Sequence, residues 1–179
     1  MARRIVVFGI SGVGKTSACK AYVAEHPEFL HLSAGELIRQ ETSLSEEQLR
    51  TASAPEILAH QRLLGDALER RLAGRDNDFI IEAHSLIDNG QETVPVSVQT
   101  VRSVRPTGLI LLEATPKEIE KRRRSDGRNR PARSQAELAL QIKAARELVE
   151  GYSKSLRVPM AAAMTNEDFK LDSLIDALP

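Results

Sequence analysis

The stretch Ile5-Val-Val-Phe8-Gly9-Ile-Ser11-Gly12-Val13-Gly14-Lys15-Thr16-Ser17 decides the fold. Ile5 to Phe8 is a continuous apolar run rich in β-branched residues, as expected of a strand buried on both faces. It ends in Gly9-Ile-Ser-Gly-Val-Gly14-Lys15-Thr16, which fits the pattern GxxxxGK[ST] without a mismatch. Gly9, Gly12 and Gly14 let the backbone turn tightly and aim its N–H groups inward at an anion. The next segment, Lys15 to Glu25, lacks Gly and Pro and reads as a helix, whose positive end strengthens the same preference. An ordinary strand-to-helix turn with a chance Lys is the alternative, and the strand before the loop and the helix after it argue against that. Gly9, Ser11, Gly12, Val13, Gly14, Lys15, Thr16 and Ser17 are therefore expected to cradle the phosphates of a nucleoside triphosphate. Lys15 can reach the terminal phosphates as a cation, and the Thr16 hydroxyl can be a magnesium ligand.

Outward from this loop, short apolar strands alternate with helices. Phe29 to Leu32 is a second strand candidate, and the capping box Ser33-Ala-Gly-Glu36 starts a helix to about Glu41. Ser45-Glu-Glu-Gln48 repeats that signal, and Pro55 sits where a first helical turn tolerates it. Ile57, Leu58, Leu64, Leu68 and Leu72 recur at helical spacing, which predicts one long amphipathic helix from Pro55 to Ala73. Phe79 to Ile81 is a third strand, closed by Glu82. Asp88-Asn89-Gly90 marks a loop, and Val98 to Val104 reads as a short helix. Leu109 to Leu112 is the fourth strand, and Pro116 opens a charged helix to about Arg124. After a Gly, Pro and Arg-rich loop from Ser125 to Arg133, Ser134-Gln-Ala-Glu137 caps a long helix to about Leu156. A weaker fifth strand near Met160 to Met164 precedes a terminal helix from about Phe169 to Leu178. The pattern predicts an α/β fold of three layers, a five-stranded parallel sheet flanked by helices.

Composition narrows the function classes. The 179 residues read as one domain, with 25 Lys plus Arg against 25 Asp plus Glu, and 41% hydrophobic residues suffice for a packed core. With no Trp, two Tyr and four Phe, an aromatic platform for single-stranded nucleic acid is not expected. Neutrality removes the simplest argument for direct DNA binding or for a membrane surface. One Cys excludes an internal disulfide framework and a Cys-based zinc site. No apolar run approaches the roughly 18 to 20 residues of a membrane helix. The short segment before Ile5 does not resemble a secretory signal, so a cytoplasmic location is expected.

The neutral total hides an uneven distribution. Lys117 to Arg133 holds eight Lys or Arg and three acids, centred on Arg122, Arg123, Arg124, Arg128, Arg130 and Arg133. Arg clamps phosphate oxygens bidentately, so this loop can close over a transferring phosphoryl group and exclude water. Part of the run from Lys117 to Arg124 also reads as a solvated helix face. Glu82, directly after a buried strand, points to the same sheet edge as the phosphate loop. It is a candidate to hold the metal shell or orient the acceptor, the other reading being a solvated loop carboxylate.

The loop GISGVGKT, the segment HLSAGELIR, the strand end FIIEAHS and the loop RRRSDGRNR followed by a long helix together resemble a nucleoside monophosphate kinase. The likeness is to archaeal-type adenylate kinases and their relatives, and it extends in order over nearly the whole chain. It implies a P-loop NTPase fold with a short Arg-rich lid, at about 122–134, and an acceptor-binding helical part at about 33–74. It also implies ATP with Mg2+ as donor, small-molecule nucleotides as substrates, and AMP as first acceptor. On this likeness Lys15, Glu82, Arg128 and Arg130 are catalytic, and Thr16 and Glu82 serve the metal. Ser33, Arg39, His84 and Arg146 would bind the acceptor and its phosphates. Ala34 stands where ordinary adenylate kinases carry a hydroxyl residue, and Glu82 where the family usually has Asp. His84 either orients the acceptor or a metal-bound water, or hydrogen-bonds locally. A homo-oligomer is compatible with the resemblance. Two other readings stay open, a small-molecule kinase with a non-nucleotide acceptor and an ATPase switch acting on a protein or ribonucleoprotein partner.

The remaining reactive side chains have plain readings. Cys19 lies among Ala and Val and is expected to be a small buried thiol. His26, His31 and His60 show no metal-ligand spacing, Asp126 balances its Arg neighbours, and no nucleophile-elbow signature supports a hydrolase.

Overall fold

A computed structural model describes residues 2–128 and 130–178; Asn129, inside the expected lid, lies outside them, as do Met1 and Pro179. The first apolar run is the middle strand of the sheet, β1 (Arg4–Phe8), and the glycine-rich turn feeds α1 (Lys15–Glu25). There follow β2 (Phe29–Ser33), α2 (Ala34–Thr42), α3 (Glu46–Thr51), α4 (Ala54–Gln61), α5 (Leu64–Leu72) and β3 (Asp78–Glu82). A small hairpin, β4 (Leu86–Asp88) and β5 (Thr93–Pro95), leads to α6 (Val98–Ser103) and β6 (Gly108–Glu113). The chain ends in α7 (Pro116–Ser125), α8 (Gln135–Leu156), β7 (Met160–Met164) and α9 (Asp172–Asp176).

The main sheet has the order β2-β3-β1-β6-β7, and every neighbouring pair is parallel. Alternate residues of its strands face two helical layers. Ile5, Val7, Ile80, Ile110 and Leu112 pack with Cys19 and Tyr22 of α1. Val6, Phe8, Phe79, Ile81 and Leu109 pack with Leu37, Ile38, Leu64 and Leu68 of α2 and α5. The α/β, three-layer, five-stranded parallel expectation is therefore met. β1 has β3 on one side and β6 on the other, so the connections leave it in opposite directions. The crevice outside the carboxyl ends of β1 and β3 is where this topology places ligands.

Three local expectations need correction. The single helix over 55–73 is two, because the chain tightens at Arg62 and Leu63, whose N–H groups donate to Ala59 O and His60 O three residues back. Ile57 and Leu64, one in each helix, are both buried. Asp88-Asn89-Gly90 does turn the chain, but it turns a two-stranded hairpin. Asn89 Oδ1 accepts from the N–H groups of Gln91 and Glu92. The terminal helix is short, Asp172–Asp176 in place of 169–178. No helix among the described residues is long and apolar enough to cross a membrane.

Candidate active site

The phosphate loop is shaped by its glycines. Gly9, Gly12 and Gly14 have φ of 155°, 94° and 98°. A Cβ on Gly9 would lie 2.6 Å from Leu112 O and 2.7 Å from Val13 Cγ2, so the loop is pressed against β6. Lys15 is buried, and its Nζ donates to Gly9 O at 2.6 Å and Ile10 O at 3.3 Å, curling the side chain back over its own loop. Burial pushes its pKa down to about 8; Glu82 opposes that, and the Arg130 and Arg123 guanidiniums add to it.

Glu82 ends β3 next to β1, and the structure brings it to Thr16. The Thr16 hydroxyl donates to Glu82 Oε2 at 2.6 Å. On the other side His31 Nε2 lies 3.4 Å from Glu82 Oε1. Burial works to raise the Glu82 pKa, but the His31 and Thr16 contacts and the Lys15 charge outweigh it, and the carboxyl titrates below its ordinary range.

The last turn of α7 touches the loop and lines the cleft that the loop borders. Arg122 Nη1 donates to Val13 O at 2.9 Å and to Thr165 Oγ1 at 3.0 Å, while Arg123 Nε donates to Ser11 O at 3.0 Å. Arg130 pairs with Asp126 at 2.5 Å and is largely buried, with an Nη1 that has no hydrogen-bond partner among the described residues. Burial and then the Arg130 charge lower the Arg123 pKa. Arg128 is exposed, and its backbone N–H donates to Asp126 Oδ1. Asp126 is thus the balancing charge that the sequence suggested.

The phosphate loop, the end of β3, α2 and the end of α7 with Arg128 and Arg130 surround one cleft of about 970 Å³. Ser11, Gly12, Gly14, Lys15, Thr16, Ser17, Glu82, Arg128 and Arg130 line it. Ser33, Arg39 and His84 line it as well, together with the apolar Ile38, Leu49, Ile57 and Val101. Ser33 is also the cap of α2, its Oγ accepting from Glu36 N. Arg39 is held by Glu36 through two bonds of 2.9 and 2.7 Å and must exchange that partner to grip a phosphate. His84 is exposed at the cleft, and the nearby Lys15 ammonium lowers the pKa of its imidazole. Arg146 is not brought to this cleft; it pairs with Glu113, at the end of β6, and with Glu150.

A family described as AAA domain matches residues 8–139, which include the loop, Glu82, Arg128 and Arg130. The chain belongs to this family of P-loop kinases. Over 132 residues the P-loop kinase is 27% identical to the adenylate kinase of Methanopyrus kandleri, a match that covers 70% of this chain and 69% of that protein. Its fold is also that of shikimate kinase from Bacteroides thetaiotaomicron. The likeness covers 98% of this chain and 95% of that one, at 14% identity and a TM-score of 0.54.

Around the P-loop kinase's site His31 and Thr165 carried no sequence signal, and Asp88 and Asn89 only that of a loop. His31 reads as an isolated histidine until the β2–β3 register sets it beside Glu82. Thr165, after β7, hydrogen-bonds Val13 O at 2.8 Å and so ties the far end of the sheet to the loop. Asp88 accepts from Arg133 Nε and Nη2, both at 2.9 Å, and from Gln141 Nε2 at 2.8 Å. Asn89 Nδ2 donates to Ala52 O, so the hairpin joins Arg133 to the turn between α3 and α4.

Proposed function

We propose that this P-loop kinase transfers the γ-phosphoryl group of ATP, with Mg2+, to a nucleoside monophosphate, AMP first among them, in the cytoplasm. The observation that carries the reading is the crowding of cations in the cleft. Lys15, Arg123 and Arg130 are drawn from water and repel one another, which lowers the pKa values of Lys15 and Arg123, and one guanidinium nitrogen of Arg130 is buried without a partner among the described residues. Such an arrangement is costly when empty and favourable around a polyphosphate, whose charge removes the repulsion. Loop N–H groups and Lys15 would hold the β and γ phosphates, with Arg128 and Arg130 closing from the lid at about 122–134.

Thr16 and Glu82 suit the metal. Both offer oxygen to a hard cation, and they already lie at hydrogen-bond distance. Among the described residues no group of three or more His, Cys, Asp or Glu gathers as a cage, in keeping with a magnesium ion bound chiefly through substrate phosphates. When bound, the ion neutralises charge on the phosphoryl group.

For the acceptor, residues 33–74 supply Arg39 for a phosphate and apolar lining suited to a flat base. The 27% identity with an adenylate kinase supports AMP. The fold likeness to a shikimate kinase favours, as second reading, an acceptor that is not a nucleotide. Transfer should vanish in Lys15→Ala with the fold intact, whereas Arg128→Ala should lower turnover more than ATP affinity. Full activity in both variants would refute the assignment of this cleft.

A further inference from the structure

We propose that His31 is a positioning residue for Glu82, which it holds from the neighbouring strand so that the carboxylate stays against Thr16 where the metal–nucleotide complex binds. The inference rests on the reading of Glu82 as the acid of the metal-facing wall. Its basis is the sheet register. Ser33 pairs with Glu82 and His31 with Ile80, so positions 31, 33, 80 and 82 share one face of the sheet, and His31 is the diagonal neighbour of Glu82. The two carboxylate oxygens are then contacted from opposite sides, Oε2 by the Thr16 hydroxyl at 2.6 Å and Oε1 by His31 Nε2 at 3.4 Å.

Both side chains are mostly withdrawn from solvent, 18% and 12% exposed. The His31 Nε2 atom is buried and has no well-formed hydrogen bond among the described residues, so its polar neighbour here is the carboxylate. A glutamate has one more side-chain torsion than an aspartate, and a carboxylate that must meet a metal shell in one orientation needs that freedom removed. Thr16 restrains one oxygen, and His31 restrains the other.

The test is a double-mutant cycle with two readouts: affinity of Mn2+ for the protein–ADP complex, from electron paramagnetic resonance of free Mn2+, and turnover with ATP and AMP. His31→Leu should weaken Mn2+ about tenfold and lower turnover by a similar factor, with KM for AMP unchanged, as loss of an outer support does. His31→Gln, which keeps an N–H donor, should recover most of both, which a purely steric role would not give. In a Glu82→Asp background the shorter carboxylate falls beyond the reach of His31, so adding His31→Leu should change Mn2+ affinity less than twofold. Thermal melts of each variant establish that it is folded at the assay temperature. Additive losses in the cycle, or Mn2+ affinity unmoved by His31→Leu, would overturn the positioning role while leaving Glu82 in place. If Glu82→Gln itself left Mn2+ affinity and turnover unchanged, the metal-wall reading would fall instead.

Discussion

The depressed pKa of Lys15 makes nucleotide binding a proton-uptake reaction at alkaline pH. In the empty cleft the ammonium is buried among Arg123 and Arg130 and titrates at about 8. A polyphosphate beside it favours the charged form, so in the complex the value should return to at least the ordinary 10.5. The sign follows directly: a group whose pKa rises on binding takes up a proton between the two values. With about 8 free and about 10.5 bound, uptake should be roughly one-tenth of a proton at pH 7 and about nine-tenths at pH 9. Affinity should be nearly flat below pH 8 and about tenfold weaker at pH 9 than at pH 7. Isothermal titration of a non-hydrolysable ATP analogue with Mg2+, in buffers of different ionisation enthalpy, reads both quantities. Lys15→Arg keeps a cation that does not titrate in this range, so it reports any titration of the nucleotide and of other groups. Wild-type uptake below about two-tenths of a proton at pH 9, or an equal slope in Lys15→Arg, would show that Lys15 is not the buried cation at the phosphates.

Two further expectations concern stability. A Cβ at Gly9 meets the fixed carbonyl of Leu112 at 2.6 Å, so Gly9→Ala should cost roughly 2 to 3 kcal/mol and about 5 to 10 °C in Tm. At Gly151, inside α8 with nothing within 4 Å, the same change should instead raise stability by about 0.5 to 1 kcal/mol; equal effects at the two sites would refute the packing argument. Asp88 is the second case. Burial raises its pKa, but Arg133 and Gln141 prevail and bring it to about 2, so its contribution is present above the unfolded value near 3.8 and lost as pH falls through about 2. Asp88→Asn should therefore be less stable at pH 6 and lose less between pH 4 and pH 2 than the wild type, as followed by circular dichroism; parallel acid curves would contradict the pairing.

Much of this architecture is visible in the sequence because short-range chemistry specifies it. Ile5 to Phe8 and Leu109 to Leu112 are apolar throughout since both faces of their strands are covered. The capping boxes read at Ser45 and Ser134 form without reference to the rest of the fold, whereas at Ser33 only the serine half forms, because Arg39 takes the Glu36 carboxylate. The phosphate loop is legible for the same reason: strand, glycines, Lys15 and helix are contiguous. Glu82 is found by being next to a strand end. What escapes is what depends on register or on chain direction. His31 acquires a role through pairing of β2 with β3, and Thr165 through the placement of β7 at the sheet edge. The break at Arg62 leaves helical periodicity almost unchanged on both sides, so no pattern of apolar residues reveals it. Two three-residue strands, one of them ending in Pro95, are too short to show alternation, and the hairpin is held by the Asn89 turn and by the distant Arg133. Arg146 sits on a helix that passes near the site, yet Glu113 takes its guanidinium away from the cleft.

The most direct test of phosphoryl transfer to a nucleotide is phosphorus NMR of the protein with ATP, Mg2+ and a panel of monophosphates, alongside a reaction without acceptor. The expected result is rapid growth of ADP together with a new diphosphate of the acceptor, foremost from AMP, and negligible inorganic phosphate. Slow release of inorganic phosphate at a rate indifferent to every monophosphate, with no diphosphate of the acceptor formed, would contradict it.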